Sequence, residues 1–155
     1  MLRSRGFTLL ELLVVLSIVA LATAGATLAL RDASATQLER EALRLAALLD
    51  AARAQSRTTG VPVRWQPGMQ GFEFQGLRAA AEGAPADGLH RAGRTWLNPQ
   101  TRALIVQPAG ANALLLGPEP LIPAQRVDLL LGERRLGLAS DGLGPFRVVT
   151  GDGPP

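Results

Sequence analysis

The sequence predicts an α+β protein: one long N-terminal helix followed by an antiparallel β-rich head. Three observations predict it. From Leu12 to Leu30 the chain carries no charge, and Glu11 is the only charge between Arg5 and Arg31. From Arg31 to Arg57 there is neither Gly nor Pro, and Leu38, Ala42, Leu45, Leu49 and Ala52 recur at alternating spacings of four and three, one apolar stripe on a helix. Beyond Gly60 the chain breaks into short β-like runs separated by turn residues, with no helical run between them. Strands connected so briefly pair antiparallel.

Residues 1–6 read as a short basic leader containing Arg3 and Arg5. A helix over 7–30 would be roughly 36 Å long, enough to cross a hydrocarbon core. A carboxylate near the start of such a segment costs on the order of 2–4 kcal/mol unless it is partnered, which marks Glu11 as a candidate functional residue. The leader's positive charge stays cytoplasmic, so the rest of the chain is expected to face outward. Two plainer readings compete. One is a secretory signal peptide cut near Ala22-Thr23-Ala24, but Glu11 then interrupts the start of the apolar region and the run continues past the cleavage site. The other is a simple anchor with Glu11 reaching to the interface.

Residues 31–59 are predicted to continue the helix, with the stripe packed on the head. Arg40, Arg44, Arg53 and Arg57 are expected largely on its other faces, alongside Glu39, Glu41 and Asp50. Thr58-Thr59-Gly60 followed by Pro62 is a stop signal.

Seven strands are expected in the head, 60–155: 61–65, 72–75, 103–106, 113–116, 127–131, 135–139 and 146–150. Pro67-Gly68 makes the first hairpin connection. Further turns fall at 108–110, 117–123, 132–133 and 141–145. Residues 76–95 show no clear period and read as a long loop with room for a short helical piece, and 151–155 as a loose tail.

At 155 residues there is room for one domain beyond the anchor. All 16 basic residues are arginine. Removing the leader's two leaves 14 against 13 acids, a side-chain charge of +1, so any polyanion-binding surface must come from local clustering. The absence of cysteine excludes a disulfide, a thiolate metal site and a thiol nucleophile. His90 is the sole histidine, with no acid cluster to give it a metal or triad role. Asp141-Gly142-Leu143-Gly144 has one acid where a calcium loop needs several oxygen ligands, so it reads as a turn. No phosphate loop is present. No catalytic residue, metal or cofactor is predicted.

Gly6-Phe7-Thr8-Leu9-Leu10-Glu11 after a basic leader resembles the class III signal of type IV pilins and type II secretion pseudopilins; the simple-anchor reading leaves this match as coincidence. The resemblance implies that a prepilin peptidase cuts between Gly6 and Phe7, that the new Phe7 amine is methylated, and that Glu11 pairs with a neighbouring subunit's N-terminal amine during assembly. Such a pair is sensible in low dielectric, where either charge alone is penalised. Residues 48–63 resemble the GspH pattern "ARxxAxxxGxPV" that joins helix to first strand, with Arg57 in place of its usual alanine. Residues 138–148, Leu138-Ala139-Ser140-Asp141-Gly142-Leu143-Gly144-Pro145-Phe146-Arg147-Val148, are similar to the final hairpin of the GspH/FimT family.

That resemblance implies a pilin-like lollipop, its transmembrane helix packed on an antiparallel β-sandwich-like head. It further implies a GspH-like minor pseudopilin of type II secretion: a single-pass inner-membrane protein whose periplasmic head sits at the tip of a pseudopilus that helps export folded proteins across the outer membrane. Its partners would be other minor and major pseudopilins, the prepilin peptidase and the inner membrane, with no small-molecule ligand. The alternative is a FimT/FimU-like minor pilin, of which some members bind DNA during uptake. Here the final ten residues contain only Arg147, and Arg126, Arg134 and Arg135 would have to converge with it in space. DNA binding is therefore expected to be weak and non-specific at most.

Overall fold

The computed structural model describes residues 8–77 and 93–149, and of helical residues 24–32 the backbone alone. One helix, α1, takes Leu9–Thr59. The chain divides into two units, 1–35 and 36–155.

In the first unit α1 is described from Leu9, with Thr8 as its cap. The Thr8 carbonyl accepts from the Leu12 N–H at 3.2 Å, and Thr8 Oγ1 accepts from the Glu11 N–H at 3.2 Å, satisfying a donor the first turn leaves free. From Leu9 to Thr23 every side chain is exposed, including Leu9, Leu12, Val14 and Val15, which lie on all sides of the helix. Among the described residues no helix is long and apolar enough to cross a membrane. The span expected over 7–30 includes Phe7 and the side chains of 24–30, which lie outside that description.

In the second unit the helix ends as the stop signal predicts. Gly60 takes a left-handed φ of 71°, and its N–H reaches the Ser56 carbonyl at 2.9 Å, closing the last turn. The predicted stripe is the buried face: Ala42, Leu45, Leu49 and Ala52 are fully covered and Leu38 nearly so.

Among the described residues eight strands follow: β1 (Val63–Pro67), β2 (Gly71–Gln75), β3 (Gly93–Thr95), β4 (Arg102–Gln107), β5 (Leu114–Leu116), β6 (Gln125–Leu131), β7 (Arg134–Ser140) and β8 (Arg147–Val149). They form two antiparallel four-stranded sheets, ordered β3-β2-β1-β5 and β4-β6-β7-β8. Val63, Trp65, Phe72, Phe74, Leu114 and Leu116 from the first sheet share one core with Val127, Leu129, Leu131 and Leu138 from the second and with the helix stripe. Phe72 centres an aromatic group, 4.9 Å from Trp96 and 5.9 Å edge-on to Phe74 between ring centroids.

Seven of these strands fall where the sequence places them, to within a residue or two at their ends. The eighth, β3, lies inside the stretch expected to be loop. Gly-Arg-Thr has no apolar alternation, and its strand conformation comes from pairing with β2 at Gly71↔Thr95 and Glu73↔Gly93. The rest of that stretch, 78–92, and the tail from residue 150 on lie outside the described residues.

Candidate functional site: the N-terminal segment and the helix–hairpin latch

Of the N-terminal candidates, Gly6 and Phe7 lie outside the described residues, and so does His90. Glu11 is described. It is exposed in the first turn of α1, three residues after the capping Thr8. Thr8-Leu9-Leu10-Glu11 is the Ser/Thr-x-x-Glu arrangement of a capping box, and a carboxylate there favours the positive end of the helix dipole. Sequence reading singled out Glu11 and missed Thr8, although the spacing was visible. The hydroxyls farther along are satisfied within the helix. Ser17 Oγ donates to the Leu13 carbonyl at 2.8 Å, and Thr23 Oγ1 sits 3.0 and 2.9 Å from the carbonyls of Val19 and Ala20. Such internal satisfaction removes the main cost of placing Ser and Thr in apolar surroundings.

The two other stretches that carry the family resemblance meet in space. Asp50 Oδ1 accepts from the Phe146 N–H at 3.0 Å. Arg53 donates to the carbonyls of Gly142, Gly144 (3.2 Å) and Pro120 (3.3 Å), and Arg57 also reaches Pro120 (3.3 Å). Ser56 Oγ donates to the Val61 carbonyl at 2.8 Å, fixing the turn from helix to β1. One face of two helical turns thus latches the β7–β8 turn and the β5–β6 loop. The loops are also tied together directly by the Ile122 N–H to the Gly142 carbonyl at 3.3 Å. Gly142 is required there: its φ is +89°, and a Cβ would lie 1.8 Å from the Ile122 oxygen.

This corrects the expectation that the helix charges lie off the packed face. Arg53 and Glu41 are both buried. Glu41 accepts from the Leu97 N–H and pairs with Arg44 at 3.0 Å, while Arg44 lies over the Phe72 ring and reaches the Thr95 carbonyl. The signal was present, since Arg53 is four residues beyond Leu49 and Glu41 is three beyond Leu38, which puts both beside the stripe.

The Asp141 turn behaves as a turn. Its Oδ1 accepts from the N–H groups of Leu143 and Gly144 at 2.9 and 2.8 Å, and these bonds hold the carboxyl below its ordinary pKa. Asp50 moves the other way: burial raises it, opposed by the Phe146 N–H and by Arg53. Among the described residues no group of three or more metal-ligating side chains exists. Of the four C-terminal arginines, Arg126 and Arg135 flank the buried Asp128, with Arg126 Nε 3.1 Å and Arg135 Nε 2.6 Å from its oxygens.

Residues 1–27 match the prokaryotic N-terminal methylation motif. The chain is also similar to a solved structure, the type IV minor pilin FimU of Pseudomonas aeruginosa (strain PAO1), with a TM-score of 0.54. The fold is pilin-like. The likeness covers 77% of this chain and 93% of that one at 14% sequence identity, so it speaks for architecture. No curated protein matches this sequence.

Proposed function

We propose that this chain is a minor pilin-like subunit, processed at its N-terminus and assembled through its helix into a periplasmic filament, and that the filament is the pseudopilus of a type II secretion system. The observation that carries the reading is the methylation motif over 1–27, which takes in the start of α1, in a chain whose fold is pilin-like. In this reading the peptidase cuts between Gly6 and Phe7, Phe7 is methylated, and residues 7–30 anchor the subunit in the inner membrane with its head in the periplasm. Glu11 pairs with the amine of a neighbouring subunit. It lies four residues past Phe7, about 6 Å along the axis, which favours an amine from a staggered neighbour over its own. The role is structural, carried by packing and charge pairing.

The fold's likeness to a type IV minor pilin favours a second reading, in which the filament is a type IV pilus. The two share every step up to assembly, so processing is tested first. N-terminal sequencing of the mature protein is expected to begin at methylated Phe7, with Gly6→Asp blocking the cut. A start at Gly25 would instead establish an ordinary signal peptide. Loss of exoprotein secretion in a deletion strain, with pili intact, separates pseudopilus from pilus.

A further inference from the structure

Each sheet of the head ends in two edge strands, and the four edges are not alike. Among the described residues β3, β5 and β8 are three residues long, too short to offer much backbone to a second chain. β4 has six residues. It pairs with β6 on one side and, among the described residues, with no strand on the other. Its free side therefore presents a row of N–H and C=O groups that another extended backbone can satisfy. Proteins commonly guard such an edge with charge or proline inside the strand. Here Arg102 opens the strand and Pro108 follows it, while Ala103-Leu104-Ile105-Val106 between them carries no charge. The register slips by one residue at Val106, a bulge confined to the strand's far end.

The core is also open at this edge. Val127 and Leu129 of β6 are fully buried, yet Ile105 and Ala103, directly opposite them on β4, are only half-buried. On the other face of the strand Leu104 is 59% exposed and Val106 39%. A further strand beside β4 covers aliphatic surface on both faces of the sheet while it pairs the backbone. The occupant this edge calls for is an uncharged aliphatic strand with a free side of its own, which is what β4 itself is. In an antiparallel pair centred on Leu104, Ala103 faces Ile105 of the second copy, a small residue opposite a large one. Arg102 then faces Val106, and the two arginines stand at opposite ends, so no like charges meet.

We propose that the head pairs with a second copy of this chain through β4, antiparallel and centred on Leu104, so that two four-stranded sheets become one. The pairing goes beyond the filament reading and does not need it, because it uses the head alone. The chain has no cysteine, so a single Leu104→Cys substitution is a clean probe. In such a pair the two Cα atoms at 104 lie about 4.5–5.5 Å apart, within disulfide reach. Membranes from cells producing the full chain are oxidised with copper phenanthroline and run on a gel without reductant. Leu104→Cys is expected to form a disulfide homodimer about tenfold faster than Leu115→Cys or Leu143→Cys, which probe comparably exposed positions outside β4. Adding V106E sets a carboxylate opposite Arg102 of the second copy and is expected to speed the cross-link; adding V106K is expected to slow it. Tryptophan fluorescence of the purified variants confirms a folded head. Equal cross-linking at the three cysteines overturns the proposal, as does the reverse order of the two Val106 variants. A band of another mass in place of the homodimer also overturns it, since β4 then pairs with a different protein.

Discussion

Leu9–Thr23 and Leu38–Ser56 are two stretches of one helix with the same backbone and opposite surfaces. In the second, one face is sealed against the head and carries Leu45 and Leu49 with no exposed area, while Ala47, Ala51 and Ala54 face outward. In the first, no described side chain is buried, and leucine, valine and isoleucine occupy the whole circumference. Helices in water take most of their stability from packing an amphipathic face, and β-branched residues such as Val14, Val15, Ile18 and Val19 add little propensity. The outer stretch is therefore explained by this chain's own head. No described side chain of the N-terminal stretch is covered, and in the proposed reading lipid and neighbouring subunits cover it, which its self-satisfied hydroxyls suit.

The sharpest way to break the comparison is to make the same change in both stretches. Leu45→Ala should destabilise the head by about 2–5 kcal/mol, through lost transfer energy and an unfilled cavity. Leu13→Ala, at 60% exposure, should leave head stability unchanged. Both are read by urea denaturation of the full chain in nanodiscs. Trp65 and Trp96 are buried in the head, so fluorescence reports that unit alone.

A smaller effect is expected from the latch. Arg53→Met keeps the stem in place but removes one donor from each of the carbonyls of Pro120, Gly142 and Gly144, leaving Arg57, the Ile122 N–H and Ser140 Oγ as their remaining donors. The expected cost is about 1–3 kcal/mol in the same denaturation. Faster amide exchange at Ile122, whose N–H joins the two loops, should accompany it. Unchanged exchange at Ile122 would mean that the loops hold each other without the helix.

The smallest effect concerns pH. Asp141 is held below its ordinary pKa, so its contribution is present above about 3.8 and is lost as pH falls through the lower folded value. Asp50 is raised, so its protonation favours the fold as pH falls. On acidification from about pH 5 to about pH 2.5, Asp141→Asn should lose less stability than the unmodified chain, and Asp50→Asn more. The opposite order would reverse the assignment of the two carboxylates.

These contrasts also show what could be read beforehand. The stripe, the Gly60 stop and seven strands were legible because each follows from local periodicity or turn chemistry. β3 was not, since three residues without alternation acquire a strand only from a neighbour. The burial of Arg53 was half legible: its spacing set it beside the stripe, but its carbonyl partners lie 67 to 91 residues away. The open edge of β4 was hidden for the same reason, being a product of strand order. In the N-terminal segment Glu11 stood out as a lone charge, while Thr8 was overlooked because a cap looks ordinary beside an apolar run.

In the proposed reading the head is built for its own stability and the N-terminal segment for association. Glu11→Ala, expressed at native level, tests it most directly through in vivo cross-linking of the subunit to its filament partners, with head unfolding measured in parallel. The account predicts normal insertion and processing, an unchanged head transition, and loss of the cross-linked partners. If the variant still cross-links at the unmodified level, Glu11 does no more than favour the helix terminus, a term of only ~0.3–1 kcal/mol, and the pairing role is wrong.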